Sequence, residues 1–173
     1  MCRVDNDDKK VRAALIPPRR AFGVAHLLNK FGEQGMSKID DQDIRISAIF
    51  GREIPEVKEK TLEVYRAHLK QHLELPCQLT GIEDFDWEEY YVFGPGDEKE
   101  YERLKKTKPS YRDTFDLISF DEMDERVGII ANVRRVSDHK KFTLPLADLE
   151  AVNKKSRNYQ LLDDYSVWFV NNQ

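Results

Sequence analysis

The fold is decided by residues 115–145, which read FDLISFDEMDERVGIIANVRRVSDHKKFTLP. Three runs rich in apolar and β-branched residues alternate here with two polar, charged stretches. The runs are residues 115–120, 127–136 and 142–144, and the stretches are residues 121–125 and 137–140. This pattern is typical of antiparallel strands joined by tight turns. It predicts a β-meander, which Pro145 ends or places at a sheet edge because proline cannot donate to a strand ladder.

A helix is predicted upstream of the meander, beginning near Pro55 and ending before Pro76. Proline is favoured at the first helical position, where its missing N–H costs no hydrogen bond. Apolar residues then recur at spacings of three and four, which gives the helix one buried face. They are Leu62, Tyr65, Leu69 and Leu73. One helix with several short strands predicts an α+β fold, in which an N-terminal helix packs on a small antiparallel β-sheet or an SH3-like barrel.

The remaining segments are interpreted from shorter patterns. We expect a short strand, or a loop entering a helix, at residues 44–50, and a strand at residues 90–93. Residues 97–112 are predicted as a long solvated loop or a frayed helix. A helical turn at residues 158–165 and a final strand at residues 166–170 complete the prediction.

Domain organisation is predicted as an N-terminal appendage, residues 1–36, and one α+β domain, residues 37–173. Pro17-Pro18 prevents a long helix in the appendage, and we expect a flexible tail. Contact of its basic, amphipathic part with an acidic membrane or a partner helix is the alternative. The chain contains no apolar run of the roughly 20 residues that a membrane span needs. It also lacks a signal-type start, so we expect a cytoplasmic protein.

Charge is distributed unevenly along the 173 residues, whose net charge is only −4. Residues 81–125 hold fifteen Asp and Glu against six Lys and Arg, a balance of −9. Residues 126–173 hold eight Lys and Arg against five Asp and Glu, a balance of +3. A nucleic-acid-binding surface requires a broad positive field. The acidic middle therefore predicts a site for a cation or a basic protein partner, and no nucleic acid.

Two acidic clusters supply the candidate metal ligands. Calcium accepts six to eight oxygen ligands from carboxylates, carbonyls and water in a forgiving geometry. Neither cluster is an EF-hand, because Glu89 and Arg126 stand where that motif requires glycine. From acidic clustering alone, we predict oxygen donors at Asp84, Asp86, Glu88, Asp121, Asp124 and Glu125. The alternative is that both clusters are solvated loops whose charges keep the protein soluble.

Enzyme motifs are absent from the sequence. There is no nucleophile elbow and no phosphate-binding glycine loop. His68 and His72 are spaced to share a zinc ion on one helix face, but Leu69 stands where the metalloprotease motif requires glutamate. A metal-dependent enzyme that uses these histidines and one carboxylate is a weak hypothesis, behind the two that are described below. No catalytic role is predicted.

Three stretches carry a resemblance to a known family. They are the helix that leads into Leu73-Glu74-Leu75-Pro76-Cys77, residues 142–150 (FTLPLADLE), and the terminal residues 162–168 (LDDYSVW). In this order and spacing the chain resembles the small, acidic, bacterial calcium-binding proteins first recognised in heterocyst-forming cyanobacteria, the CcbP-like family. The resemblance covers roughly residues 60–170 and leaves the appendage and most of residues 94–112 unexplained. Cys77 and Tyr165 depart from the phenylalanine and tryptophan that are usual in the family.

This resemblance implies calcium binding by surface carboxylates, without EF-hands, in a compact α+β fold. It makes a calcium buffer or sensor the leading hypothesis, with Ca²⁺ as the bound ion. The second hypothesis is an SH3-like protein-interaction module, in which Trp87, Tyr90, Tyr91 and the acidic loop form a groove. The direction of these aromatic side chains distinguishes the two hypotheses. If Trp87 and Tyr91 are core residues, no groove remains.

Overall fold

The computed structural model describes residues 41–51 and 53–173. The predicted appendage, residues 1–36, lies outside the described residues, so the proposed domain boundary stays a prediction. Six helical segments and five strands follow one another in the described part. They are α1 (Asp41–Phe50), α2 (Glu59–His72), β1 (Gln78–Gly81), α3 (Glu89–Val92), α4 (Glu98–Lys105), β2 (Phe115–Asp124), β3 (Gly128–Arg135), β4 (Lys141–Pro145), a 3-10 turn (Leu146–Asp148), β5 (Leu149–Ala151) and α5 (Arg157–Asn171).

The strands form one open sheet in the order β4-β3-β2-β1-β5, and every neighbouring pair is antiparallel. β1 lies between β2 and β5, because Leu79 pairs with Phe115 on one side and with Ala151 on the other. β2 and β3 form a long hairpin with two irregularities in register, and such bulges increase the local twist. The predicted α+β class is confirmed, as a helix packed on an antiparallel sheet.

The core lies between one face of this sheet and helices α2 and α5. Alternate residues of β3 are buried, and so is one apolar face of each helix. The Tyr65 and Trp168 rings stack at a centroid distance of 4.9 Å. The buried set is Leu62, Tyr65 and Leu69 from α2, Leu162, Tyr165, Trp168 and Phe169 from α5, and Ile129, Ala131 and Val133 from β3. The predicted apolar stripe of the first helix is therefore confirmed as a core face.

Helix α2 begins at Glu59, four residues after the predicted start at Pro55. Lys58 has extended backbone geometry, and its N–H donates to the hydroxyl of Thr61 at 2.9 Å. A threonine hydroxyl at this position satisfies one amide at the start of the helix. Pro55 instead accepts a hydrogen bond from the indole of Trp168 at 3.0 Å, so it joins the approach to α2 to the last helix.

Four local predictions were wrong. Residues 44–50 belong to helix α1, residues 90–92 to helix α3, residues 121–124 to strand β2, and residues 166–170 to helix α5. In α5 the helical spacing of Leu162, Tyr165, Trp168 and Phe169 continues through the β-branched run and sets its structure. In β2 the bulges allow acidic residues to continue a strand whose partner β3 is strongly apolar. Within residues 97–112, the helical alternative holds for Glu98–Lys105, which form α4, and the rest of the segment is a loop.

No helix of the described residues is long and apolar enough to cross a membrane.

Gly128 is the tightest point of contact between the hairpin and α5. Its φ is +80°, in the left-handed region, and a Cβ there would lie 2.5 Å from the Tyr165 hydroxyl and 2.9 Å from the Phe169 ring. The same hydroxyl accepts a hydrogen bond from the N–H of Ile129 at 2.7 Å. Only glycine combines this backbone conformation with such close packing.

We predict that Gly128→Ala lowers the free energy of unfolding by about 2–4 kcal/mol, through backbone strain and overpacking together. Gly51→Ala is the matched control, because Gly51 has a φ of +106° and a Cβ added there would meet nothing within 4 Å. It should cost about 1–2 kcal/mol from strain alone. Urea denaturation of both variants measures the difference, and equal losses would contradict the packing role of Gly128.

Candidate metal site

The six predicted ligands fall into two separate groups in the structure. Asp84, Asp86 and Glu88 lie in the loop that leads into α3, whereas Asp121, Asp124 and Glu125 lie at the end of the β2–β3 hairpin. We call the first group the acidic loop and the second group the hairpin end. No three His, Cys, Asp or Glu side chains within residues 41–51 and 53–173 are gathered as a metal site. The fold therefore does not present the six carboxylates as one preformed cage.

Glu88 is the buried member of the acidic loop, with 0% exposure. Its Oε1 accepts hydrogen bonds from the hydroxyls of Tyr101 and Ser110, both at 2.7 Å. Its Oε2 accepts from the backbone N–H groups of Tyr111 at 2.9 Å and Phe85 at 3.3 Å. A buried carboxylate with donors at both oxygens is satisfied as a structural group. Glu88 thereby joins the loop, α4 and residues 110–111.

Glu88 also acts on its neighbours through this network. The pKa of Tyr101 is raised to about 12, first by burial and then by its hydrogen bond to Glu88. The Tyr101 hydroxyl therefore stays protonated near neutral pH and keeps donating to the carboxylate. By contrast, Asp84 is half-buried and Asp86 is exposed, and neither accepts a hydrogen bond from the described residues. These two side chains are the accessible acids of the loop.

The three carboxylates of the hairpin end are all exposed, and each has one hydrogen-bonded oxygen. Asp121 accepts from the Asn132 amide at 3.2 Å, Asp124 from the N–H of Arg126 at 2.8 Å, and Glu125 from the N–H of Glu59 at 3.0 Å. The second oxygen of each accepts no hydrogen bond from the described part of the chain. The hairpin end thus holds three exposed carboxylates, each with one open oxygen, although the described residues do not gather them as a metal site.

Arg135 anchors the segment between α4 and β2, and the sequence did not reveal it. Its side chain is buried, although arginine is seldom buried without a partner, and its guanidinium forms a two-point contact with Asp138 at 2.9 and 2.8 Å. It also contacts Asp113 at 2.9 Å and donates to the carbonyls of Lys105 and Lys108. Only the alternation of β3, which places Arg135 on the inward face with Val133, could have indicated this burial.

His68 and His72 lie together, as their spacing predicts. Their rings stack at 4.2 Å, and Nδ1 of His72 lies 2.8 Å from the carbonyl oxygen of His68. The pKa of His68 is lowered by burial and by the neighbouring charge of His72. The described residues supply no third metal-ligating side chain beside them. Within the described residues, the pair therefore lacks the further ligands that a zinc site needs.

The aromatic residues of the acidic segment mostly pack on one another. Trp87 is partly buried against the core, and its indole N–H donates to the Pro109 carbonyl at 2.7 Å. Tyr91 stacks on Tyr101 at 5.6 Å, so these side chains pack within the segment. Tyr90 and Phe93 remain exposed. Trp87 thus packs against the core and Tyr91 packs on Tyr101, and these contacts do not favour the groove of the interaction-module hypothesis.

One family model matches the C-terminal part of the chain. The model of the CcbP family, described as calcium binding, matches residues 97–169. Over these residues the match agrees with the resemblance to a calcium-binding family that the sequence indicates. It includes the hairpin end and the two C-terminal stretches that carry the resemblance, and it also includes residues 97–112, which the sequence left unexplained. The acidic loop precedes it.

Two solved structures are similar to the chain. One is a calcium-binding protein in the calcium-binding form, with 16% identity and a TM-score of 0.47 over 79% of this chain and 97% of that one. The other is the crystal structure of Anabaena CcbP, with 14% identity and a TM-score of 0.46 over 81% of this chain and 97% of that one. No match is found among curated proteins.

We predict that Glu88→Ala lowers the free energy of unfolding by about 3–5 kcal/mol, since it leaves several buried donors unsatisfied. Glu89→Ala is the control, because Glu89 is the exposed neighbour and should change stability by about 0.5 kcal/mol or less. Urea denaturation monitored by tryptophan fluorescence measures both variants. A similar small effect of the two substitutions would show that the Glu88 network does not stabilise this part of the fold.

The Arg135–Asp138 contact predicts a loss of stability in acid. The hydrogen bond from Arg135 holds the pKa of Asp138 well below its ordinary value of 3.8. A carboxyl with a lowered pKa stabilises the fold above its unfolded-state pKa, and that contribution is lost as the pH falls below it. Asp138→Asn should therefore be less stable than the wild type at neutral pH and lose less stability between about pH 5 and about pH 3.

Denaturation at several pH values tests this expectation. Asp86→Asn is the control, because Asp86 is exposed and accepts no hydrogen bond from the described residues. It should follow the wild-type pH profile. An Asp138→Asn profile parallel to that of the wild type would contradict the role of the contact.

Proposed function

We propose that the hairpin end is the calcium-binding site of this protein, with Asp121, Asp124 and Glu125 as the first ligands. One observation carries the proposal: these are the predicted ligands that lie inside the segment matched by the calcium-binding family and keep an open carboxylate oxygen each. Glu88 is assigned a structural role, because donors occupy both of its oxygens.

Electrostatics supports cation binding at this end of the hairpin. Glu122 adds a fourth exposed carboxylate to the three proposed ligands, so like charges repel one another there. A divalent cation relieves that repulsion, and water and backbone carbonyls complete the six to eight oxygens that calcium accepts. Because three side chains do not form a closed cage, we expect a site that is open to water and of modest affinity.

The proposed role is that of a buffer or sensor without catalytic function. The matched family is a calcium-binding family, and the His68–His72 pair finds no third metal ligand in the described part of the chain. Asp84 and Asp86 form a separate, second candidate position in the acidic loop. A cytoplasmic location and a basic protein partner stay predictions from the sequence.

We predict that replacing the three hairpin-end acids by their amides, Asp121→Asn, Asp124→Asn and Glu125→Gln together, abolishes calcium binding. Isothermal titration with calcium, with magnesium as competitor, measures the loss. The loop variant Asp84→Asn, Asp86→Asn and Glu89→Gln is the matched control, because it removes the same charge from exposed or half-exposed acids. It should bind calcium as the wild type does.

Each outcome has a distinct meaning. Loss of binding in the loop variant alone would move the site to the acidic loop. Absence of calcium binding in the wild type would overturn the proposed function. Calcium should also raise the melting temperature of the wild type, because a ligand that binds only the folded state stabilises it by mass action. Thermal unfolding with chelator and with calcium tests that expectation independently.

A further inference from the structure

Two aromatic side chains at helix α3 face solvent, against the trend of the rest of the fold. Of the sixteen aromatic residues within 41–51 and 53–173, only Tyr90 and Phe93 are exposed, at 56% and 78%. Because residues three apart lie on one face of a helical turn, the two rings project from the same side. A single exposed apolar side chain is ordinary, whereas exposed apolar residues that lie together mark contact surfaces.

The backbone that carries these two rings is fixed by local contacts. The N–H of Tyr91 donates to the carbonyl of Glu88 at 2.8 Å, and the N–H of Gly96 returns to the carbonyl of Tyr90 at 3.2 Å. A Cβ on Gly94 would collide with that same Tyr90 carbonyl oxygen, so the turn after α3 closes tightly because glycine stands there. The rings are therefore held outward before any partner arrives, which reduces the entropy that binding must lose.

The chain on both sides of these rings is acidic. Residues 82–98 hold seven Asp and Glu and no Lys or Arg. An acidic surface repels anionic lipid headgroups and nucleic-acid phosphates, so neither a membrane nor a nucleic acid fits it. Its electrostatic complement is a protein surface that carries Lys and Arg. Five of the seven acids are exposed, namely Glu83, Asp86, Glu89, Asp97 and Glu98.

We propose that Tyr90, Phe93 and these five exposed acids form a docking surface for a basic, amphipathic segment of a partner protein. The two rings enter an apolar part of the partner, since buried aromatic anchors supply much of the binding energy of protein interfaces. The acids attract the partner's Lys and Arg side chains, which speeds association and selects the partner by its charge. Both rings precede residues 97–169, which the calcium-binding family model matches, and the docking surface does not depend on the proposed calcium site.

The test is an isothermal titration of the full chain, in chelator, with a synthetic helical peptide of leucine and lysine whose leucines share one face. The wild type should bind this peptide, and it should not bind a peptide with glutamate in place of lysine. Phe93→Ala should weaken binding about ten-fold, as the loss of an aromatic anchor does, and Tyr90→Ala is a second variant of the same kind. Val170→Ala is the matched control, because Val170 is an exposed apolar side chain of α5. It should bind as the wild type does.

The contribution of charge is tested with the two triple variants described above. The loop variant removes two of the exposed acids of the docking surface, Asp86 and Glu89, and should weaken binding of the leucine–lysine peptide several-fold. This difference should shrink as the ionic strength rises, because exposed charges are then screened. The triple amide variant of the hairpin end removes the same charge from another part of the surface. In chelator it should bind the peptide as the wild type does.

Four results would overturn the docking surface. They are no binding of the leucine–lysine peptide by the wild type, wild-type affinity in both Phe93→Ala and Tyr90→Ala, equal binding of the glutamate peptide, and equal losses in the two triple variants. Sedimentation tests the other occupant. Self-association of the wild type that Phe93→Ala removes would assign the surface to a second copy of this chain and would also overturn the proposal. Because no calcium is present in these titrations, every outcome leaves the proposed calcium site to its own test.

Discussion

The fold depends on the packing of helix α5 against strand β3 at Gly128. The Tyr165 hydroxyl reaches the N–H of Ile129 only because Gly128 has no side chain. This contact places the aromatic residues of α5 against the inward face of β3, where Tyr65 of α2 stacks on Trp168. Helix α5 thus contacts the sheet at Gly128 and packs on α2 through the same set of aromatic residues.

The same packing decides what the acidic residues can do. Because the sheet is covered on one face, the β2–β3 hairpin directs Ile129, Ala131 and Val133 inward and leaves the acids at its end in water. By contrast, Glu88 and Arg135 are buried and fully engaged by neutral donors or by opposite charges. Charged residues that are equivalent in the sequence therefore divide into buried structural groups and accessible acids.

Sequence patterns predicted the elements whose periodicity is strong. The spacing of Leu62, Tyr65 and Leu69 predicted α2 and its buried face, and the apolar run of β3 with the turn after it predicted two strands of the sheet. Residues 166–170 were predicted as a strand because their β-branched and aromatic side chains favour strands locally. In the folded protein they are helical, because their spacing continues the apolar face that begins at Leu162 and Tyr165. The acidic end of β2 was predicted as a turn because its residues have a low strand propensity. It is nevertheless a strand, because it pairs with β3.

The sequence by itself determined the α+β class, the acidic middle of the chain and the resemblance to a calcium-binding family, because composition, periodicity and short motifs are local properties. Tertiary structure alone decided which carboxylates stay accessible. Glu88 follows the more accessible Asp84 and Asp86 by only a few residues, yet donors from residues 101–111 enclose it. Glu125 lies in an ordinary acidic run, yet it caps a helix that begins 66 residues earlier. Both outcomes depend on contacts between distant segments, and chain folding creates those contacts.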